Sequence, residues 1–404
     1  MKILLLGSGG REHALALAMA THVDTLIAVP GNPGIAAIPN AECLDGDILS
    51  GEDMVQIALR RNVDLVVIGP EAPLVAGVSD DLRDAGIAVF GPSAAAAQLE
   101  GSKAFAKKIM ALAEVPTAMA HICSTREQAD DALDMFPAPF VVKDDGLAAG
   151  KGVVVTTDIE EAREHAYYCI DRGGSVVIEE YLDGPEVSLL CLCDGKTVVP
   201  LEAAQDFKRL RDGDEGPNTG GMGSYSPLPW APAGLADEVL DRVAYPVIRE
   251  LERQGTPFVG ILYVGLALTE RGIRVIEFNV RFGDPETQAV LPRLRTPLPD
   301  VLLAAANGTL EQVPPLDWDP GAVVAVVLAA EGYPGRLTLG VPVTSTDVIH
   351  AGTSEVDGQV VTSGGRVLAV RGFGATVAEA RADAYAKIQP FEGAQYRTDI
   401  AAGI

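Results

Sequence analysis

One alternation restricts the fold more than anything else in the chain, and it runs through the first hundred residues. Strand-type runs at 2–6, 25–29, 64–68 and 87–90 alternate with helical patterns at 12–20, 52–60 and 79–85, joined by short Gly or Pro turns. Apolar strands separated by helices predict a parallel sheet covered on both faces. A helix is expected over 102–114, ending before Pro116. The texture then changes. Strand pairs at 140–143, 152–156, 176–180 and 187–193, with helices at 125–135 and 160–171, predict a small α+β unit. A helix at 236–254, a hairpin of 258–268 with 273–279, and a helix at 298–307 follow. The polar, Gly-rich stretch 205–226 reads as a long irregular loop of the functional kind. Pro residues at 313–320 mark a boundary, with several strands and an Ala-rich helix at 377–388 beyond it. At 404 residues the chain is too long for a single core. The expected class is therefore α/β and α+β multidomain: an N-terminal parallel, Rossmann-like domain (1–101), a central domain (102–318) with a lid subdomain at about 118–188, and a small C-terminal α+β domain (319–404).

Charge narrows the partners. Acidic residues outnumber basic ones 56 to 31, net −25, and no Lys/Arg block breaks that balance, so neither nucleic acid nor an anionic membrane is expected as a partner. No apolar run approaches the roughly 20 residues of a membrane span, and no export signal is evident, so a cytoplasmic location is expected. The five cysteines, at 43, 123, 169, 191 and 193, are expected to be free thiols, with Cys191 and Cys193 on one face of a strand as core residues.

Three stretches carry chemistry. Gly7-Ser-Gly-Gly-Arg-Glu-His13 joins a strand to a helix, where backbone N–H groups suit a phosphate or carboxylate. It is not a dinucleotide fingerprint, because Glu12 stands where the third glycine belongs and the second strand ends without an acid. The hairpin 141–153 ends one strand in Lys143, passes Gly146, Gly150, Lys151 and Gly152, and returns as a second strand. Glycines admit close backbone approach and the lysines supply charge, so a nucleotide polyphosphate fits beneath it. Lys103 and Lys107 share a face of the 102–114 helix, with Lys107 and Lys108 read as solvated. In 273–286, alternation sets Glu277, Asn279 and Arg281 on one face. Carboxylate and amide oxygens suit Mg²⁺ shared with phosphate, and a guanidinium beside them can clamp a phosphoryl or carboxylate group.

The motifs occur together and in order: Gly7–His13, Gly69-Pro-Glu-Ala-Pro-Leu74, Leu99-Glu-Gly-Ser-Lys103, 143–153, Gly216-Pro-Asn-Thr-Gly-Gly-Met-Gly223 and 277–288. In this the chain resembles the glycinamide ribonucleotide synthetase family of the ATP-grasp superfamily over nearly its whole length. The resemblance implies an ATP-grasp central domain and ATP-dependent joining of glycine to 5-phosphoribosylamine through glycyl phosphate, with Mg²⁺ or Mn²⁺, by a monomer. It implies that Lys103 and Lys143 touch ATP phosphates under the 146–153 loop. Glu179, the Leu182 backbone and Glu186 would hold adenine and ribose, Glu277 and Asn279 the metal, and Arg281 the glycine carboxylate or the phosphoryl group. For the acceptor it implies Gly9, Gly10 and Arg11, with Glu12 and Glu71 on ribose hydroxyls, Asp206 and Asp284 nearby, and Arg366 on the phosphate. Another ATP-grasp ligase, acting through carboxyphosphate or formyl phosphate, is the alternative. The chain departs from the family pattern in Asp144 beside Lys143, which must point away from ATP, and in shortened loops near 169–175 and 332–350. Leu262-Tyr-Val-Gly265 lacks a further acid, leaving two protein metal ligands.

Overall fold

The computed structural model describes residues 1–147 and 152–404. The N-terminal sheet is parallel throughout, in the order Ala41–Cys43, Thr25–Pro30, Lys2–Gly7, Leu65–Ile68, Val89–Phe90. Its three central strands are apolar over 3–6, 26–29 and 65–68 because both faces are covered. Leu4, Leu6, Val66 and Ile68 enter one core with Met54 and Ala58 of the helix Gly51–Arg61. Ile3, Leu5, Leu65 and Val67 enter another, with Leu15 and Met19 of the helix Gly10–Ala20 and Val301 and Leu302 of Leu298–Ala306. The sheet-and-helix pattern expected from sequence is therefore present.

The lid is a four-stranded sheet in the order Ala120–Cys123, Val176–Glu179, Phe140–Asp144, Val153–Thr156. Helices Arg126–Met135 and Ile159–Asp171 cover one face through Ala129, Leu133, Ala162 and Ala166. Below it lies an antiparallel sheet ordered Val198–Pro200, Glu186–Asp194, Val259–Thr269, Gly272–Asn279. Cys191 and Cys193 are buried in its core, as expected, and burial pushes the Cys191 thiol up to about 12. All five cysteines are free.

One expectation needs correction. The stretch 205–226 is not an irregular loop: it contains strands Gln205–Asp206, Arg209–Arg211, Glu215–Asn218 and Gly223–Ser226. Gly223–Ser226 is fully buried and pairs with Ala322–Ala329, so the C-terminal sheet draws two strands from the middle of the chain. A side chain at Gly223 would stand 2.7 Å from the Ala325 carbonyl oxygen, and the buried Ser224 and Ser226 hydroxyls donate to Pro285 and Ala203 carbonyls. The tip of the Arg209–Asn218 hairpin is held by buried Arg397, which pairs with Asp214 and Asp399 at 2.7 Å and lies over the Phe207 ring. The expected helix at 236–254 is present without a break from 235 to 253, with a wide turn at Leu240–Ala244 between Leu235–Val239 and Tyr245–Arg253. Pro246 has no N–H to give the helical ladder, and the wide turn absorbs the defect.

Candidate active site

The strand Gly272–Asn279 places its acid and amide through a bulge. Gly265 pairs with Glu277 and Leu266 with Val275, so Ile276 is an extra residue. Ile273 and Val275 lie in the core before the bulge, Phe278 and Val280 after it. The one-residue slip turns Glu277, Asn279 and Arg281 to the opposite side. The bulge also frees the Ile276 carbonyl, which accepts from Lys143 Nζ at 3.0 Å. Glu277 and Asn279 are half-buried, and among the described residues neither side chain has a protein hydrogen bond or ion pair. Their hard oxygens are free, and no group of three or more His, Cys, Asp or Glu among the described residues makes a closed metal cage. The pair therefore fits a Mg²⁺ that completes its shell with phosphate oxygens and water.

Around that strand the lysines converge. Lys103 opens the helix Lys103–Leu112 behind its Ser102 cap and donates to the Gly146 carbonyl at 2.9 Å. Lys143 is 4% exposed and lies 2.5 Å from Glu179 Oε1. Burial lowers the Lys143 ammonium pKa, but Glu179 and Glu277 more than offset it and leave it above the ordinary lysine value. Lys107 is not solvated as expected: its side chain is 11% exposed and reaches Glu179 Oε2 at 2.5 Å. Glu179 is correspondingly a buried counter-ion between two lysines, with both oxygens directed at ammonium groups and not at an adenine or ribose. Asp144 follows Lys143 on the same strand, so its side chain turns to the opposite face, near Gly174. Asp145, which sequence reasoning passed over, accepts from Ser102, Ala104 N–H and Ser175, tying the lid to the helix start. Among the described residues nothing would meet a side chain at Gly146, and the Gly152 carbonyl accepts from Asp144 N–H at 2.7 Å. Gly150 and Lys151 lie outside the described residues.

Arg281 reaches the cleft already paired. Its Nη2 bonds Glu100 Oε1 at 2.9 Å, its Nε stands 3.4 Å from Glu71 Oε2, and Nη1 donates to the Phe282 carbonyl. Glu100 also accepts from Val280 N–H at 2.8 Å, and burial holds its carboxyl above the usual range despite Arg281. Burial acts the same way on Glu71, but Arg281 and Arg11 outweigh it and hold that carboxyl below its usual value. Sequence reasoning missed Glu100, although it stands inside Leu99-Glu-Gly-Ser-Lys103. On the nucleotide side Leu182 is half-buried in the connection after the lid strand, and Glu186 pairs with Lys208 at 2.7 Å. Lys208 also bonds Asp206 at 2.8 Å. Burial pushes the Asp206 carboxyl up to about 7 against the pull of Lys208, with Glu286 and Glu186 adding repulsion.

On the acceptor side three parts of the chain meet. Glu12 closes the glycine loop from inside: it is 1% exposed, accepts from Gly9 N–H at 2.6 Å and pairs with Arg11. A side chain at Gly69 would fall 2.1 Å from its carboxylate. Its oxygens are thus committed to the loop and not presented to a ribose, whereas Glu71 retains partial exposure. Arg11 donates to the Phe282 carbonyl, and Gly10 packs beside Gln288. Gln288 donates to Asp284 Oδ1 at 2.7 Å, while Asp284 Oδ2 is 3.2 Å from Arg366. Arg366 begins the strand Arg366–Gly374 and reaches the cleft, where it also binds the Gly220 and Asp284 carbonyls. Gly9, Gly10, Arg11, Asp284 and Arg366 are therefore one neighbourhood.

Behind the glycine loop, His350 N–H donates to His13 Nδ1 at 2.8 Å, which requires a neutral His13 ring. Burial, aided by His350 and Arg371, holds the His13 pKa at about 3. The unfolded chain binds that proton near pH 6.5, so stability should be complete above pH 6.5 and decline toward pH 3, by about 1.4 kcal/mol per unit. Urea midpoints from pH 8 to pH 5 should fall less steeply for His13→Asn, which keeps an acceptor, than for the natural chain. Equal slopes would remove His13 as the cause.

Comparison with known proteins gives the same arrangement a lineage. Family models for the phosphoribosylglycinamide synthetase N domain, ATP-grasp (A) domain and C domain match residues 1–100, 101–287 and 323–403. A phosphoribosylamine–glycine ligase of Streptomyces coelicolor is 56% identical over 100% of this chain and 99% of its own. The ligase of that name from Leifsonia xyli is 54% identical over 100% of both. The solved structure of the Thermotoga maritima phosphoribosylamine–glycine ligase superposes with a TM-score of 0.86 at 35% identity, covering 99% of this chain and 100% of that one. The chain belongs to the phosphoribosylglycinamide synthetase family of ATP-grasp ligases.

Proposed function

We propose that the chain joins glycine to 5-phosphoribosylamine at the expense of ATP, giving glycinamide ribonucleotide, ADP and phosphate in de novo purine synthesis. The observation that carries this is the meeting of two half-sites. Lys103, Lys143, Glu277 and Asn279 form a polyphosphate and metal side, and Arg281 links it to the loops that hold Gly9, Arg11, Glu71, Asp284 and Arg366. A carboxylate is a poor acyl donor. Its oxygen attacks the γ-phosphorus, ADP leaves, the amine then attacks the acyl carbon, and phosphate departs with one carboxylate oxygen.

No side-chain nucleophile is needed, so the residues act by charge and position. Lys143 and Lys103 neutralise phosphoryl oxygens. Glu277 and Asn279 would hold Mg²⁺ or Mn²⁺, whose chemistry is to draw charge from the β- and γ-phosphoryl oxygens. Arg281 sets the glycine carboxylate, with Glu71 and Glu100 fixing its plane. Leu182 and Glu186 hold the adenosine. The division proposed remains 1–101 for the acceptor-binding domain, 102–318 for the ATP-grasp domain and 319–404 for the C-terminal domain. A monomer in the cytoplasm, without nucleic-acid or membrane partners, fits the net charge of −25. No helix among the described residues is long and apolar enough to cross a membrane.

ADP release from ATP and Mg²⁺ tests the proposal. It should require glycine and phosphoribosylamine together; release dependent on bicarbonate or formate instead would favour a carboxyphosphate or formyl phosphate ligase. For the acceptor, Arg366→Ala should raise the KM for phosphoribosylamine about 10- to 100-fold, the worth of a charge-assisted bond. The KM values for ATP and glycine should stay near normal. If all three constants are unchanged, the ribose phosphate is bound elsewhere.

A further inference from the structure

Lys107 has no place in the reaction as derived above, yet it is one of the most completely engaged cations in the cleft. An ammonium has three donors. Two of those of Lys107 go to Thr117 Oγ1 at 2.9 Å and the Ala118 carbonyl at 3.1 Å, and the ammonium forms an ion pair with Glu179 Oε2 at 2.5 Å. Three oxygens thus surround it. Lys143 differs: it donates to the Ile276 carbonyl and forms an ion pair with Glu179 Oε1, and no third oxygen meets its ammonium among the described residues. Two lysines thus share one buried carboxylate, and the cluster Lys107–Glu179–Lys143 carries a net charge of +1.

We propose that Lys107 is a positioning residue for nucleotide binding: by holding one oxygen of Glu179, it keeps that carboxylate from neutralising Lys143 and leaves the third Lys143 donor for a phosphoryl oxygen. The inference rests on ATP being the substrate. Without Lys107, Glu179 and Lys143 form a closed, neutral pair. In the low-dielectric interior, loss of that unit of charge weakens attraction for a polyphosphate. Thr117 extends the arrangement, because its hydroxyl receives Lys107 and donates to the Val275 carbonyl at 2.6 Å, on the strand that carries Glu277.

The test is calorimetric binding of a non-hydrolysable ATP analogue with Mg²⁺, which reads nucleotide affinity independently of turnover. Lys107→Met leaves a neutral ion pair and should fold, but bind the analogue about 10- to 100-fold more weakly. Lys107→Gln, which keeps a donor for Thr117 without the charge, should lose as much. Lys107→Arg should stay close to the natural chain. In turnover the KM for ATP should rise while that for glycine does not. The double variant Lys107→Met/Glu179→Gln restores the net charge of +1 and should bind more tightly than Lys107→Met alone. Natural affinity in Lys107→Met and Lys107→Gln, or a double variant weaker than Lys107→Met, would overturn the proposal. If the natural chain itself binds no nucleotide, the ATP assignment fails instead.

Discussion

Glu277→Gln should fold like the natural chain and turn over about 100- to 1,000-fold more slowly, the several kcal/mol that charge stabilisation by a catalytic metal supplies. The amide keeps the size and one oxygen of the acid but removes its charge. Because Glu277 is half-buried and has no hydrogen bond or ion pair among the described residues, its charge acts on the fold only at a distance, through Lys143 and Lys103. Thermal melts should therefore coincide within a few degrees. Near-normal turnover with a normal melt would count against Glu277 as a metal ligand.

Arg281→Met should instead strike the fold. Arg281 lies between Glu100 and Glu71, with side chains only 9% and 28% exposed. Removing it leaves two carboxylates facing each other with only the weaker pull of Arg11, at a cost of about 3–5 kcal/mol. Urea unfolding should show that loss at pH 8. The loss should shrink as pH falls, because the Glu100 carboxyl already titrates above the usual range and a proton relieves the repulsion. Glu100→Gln combined with Arg281→Met should recover part of it. An unchanged urea midpoint in Arg281→Met would mean that the three groups do not act as a unit.

How much of this was legible beforehand follows from the range of each interaction. The N-terminal sheet announced itself because its parallel strands are apolar on both faces, and a run such as Ile3–Leu6 has few other uses. That Glu277, Asn279 and Arg281 share one side was expected from their spacing. What turns them away from the core is the bulge at Ile276, and a bulge depends on the partner strand. The strand Gly223–Ser226 was missed because it is Gly- and Ser-rich and its partner, Ala322–Ala329, lies about a hundred residues on. Its side chains carry no periodic signal. Lys107 and Glu100 were misjudged or passed over for a related reason: charged residues on short helices read as solvated unless the groups that bury them are known. Lys107 did have one signal, its place four residues after Lys103. The ion pairs of Glu179 with Lys107 and Lys143 were not foreseen, since a strand-end acid gives no hint of two lysines closing on it.

Transfer of isotope from glycine to phosphate tests the central chemistry most directly. Glycine labelled with ¹⁸O in its carboxylate is supplied with ATP, Mg²⁺ and phosphoribosylamine, and the released phosphate is analysed by mass. Activation through glycyl phosphate predicts one ¹⁸O atom in the inorganic phosphate for each ADP formed, with the other retained in the amide product. Phosphate released without label, while ADP and product accumulate together, would contradict it.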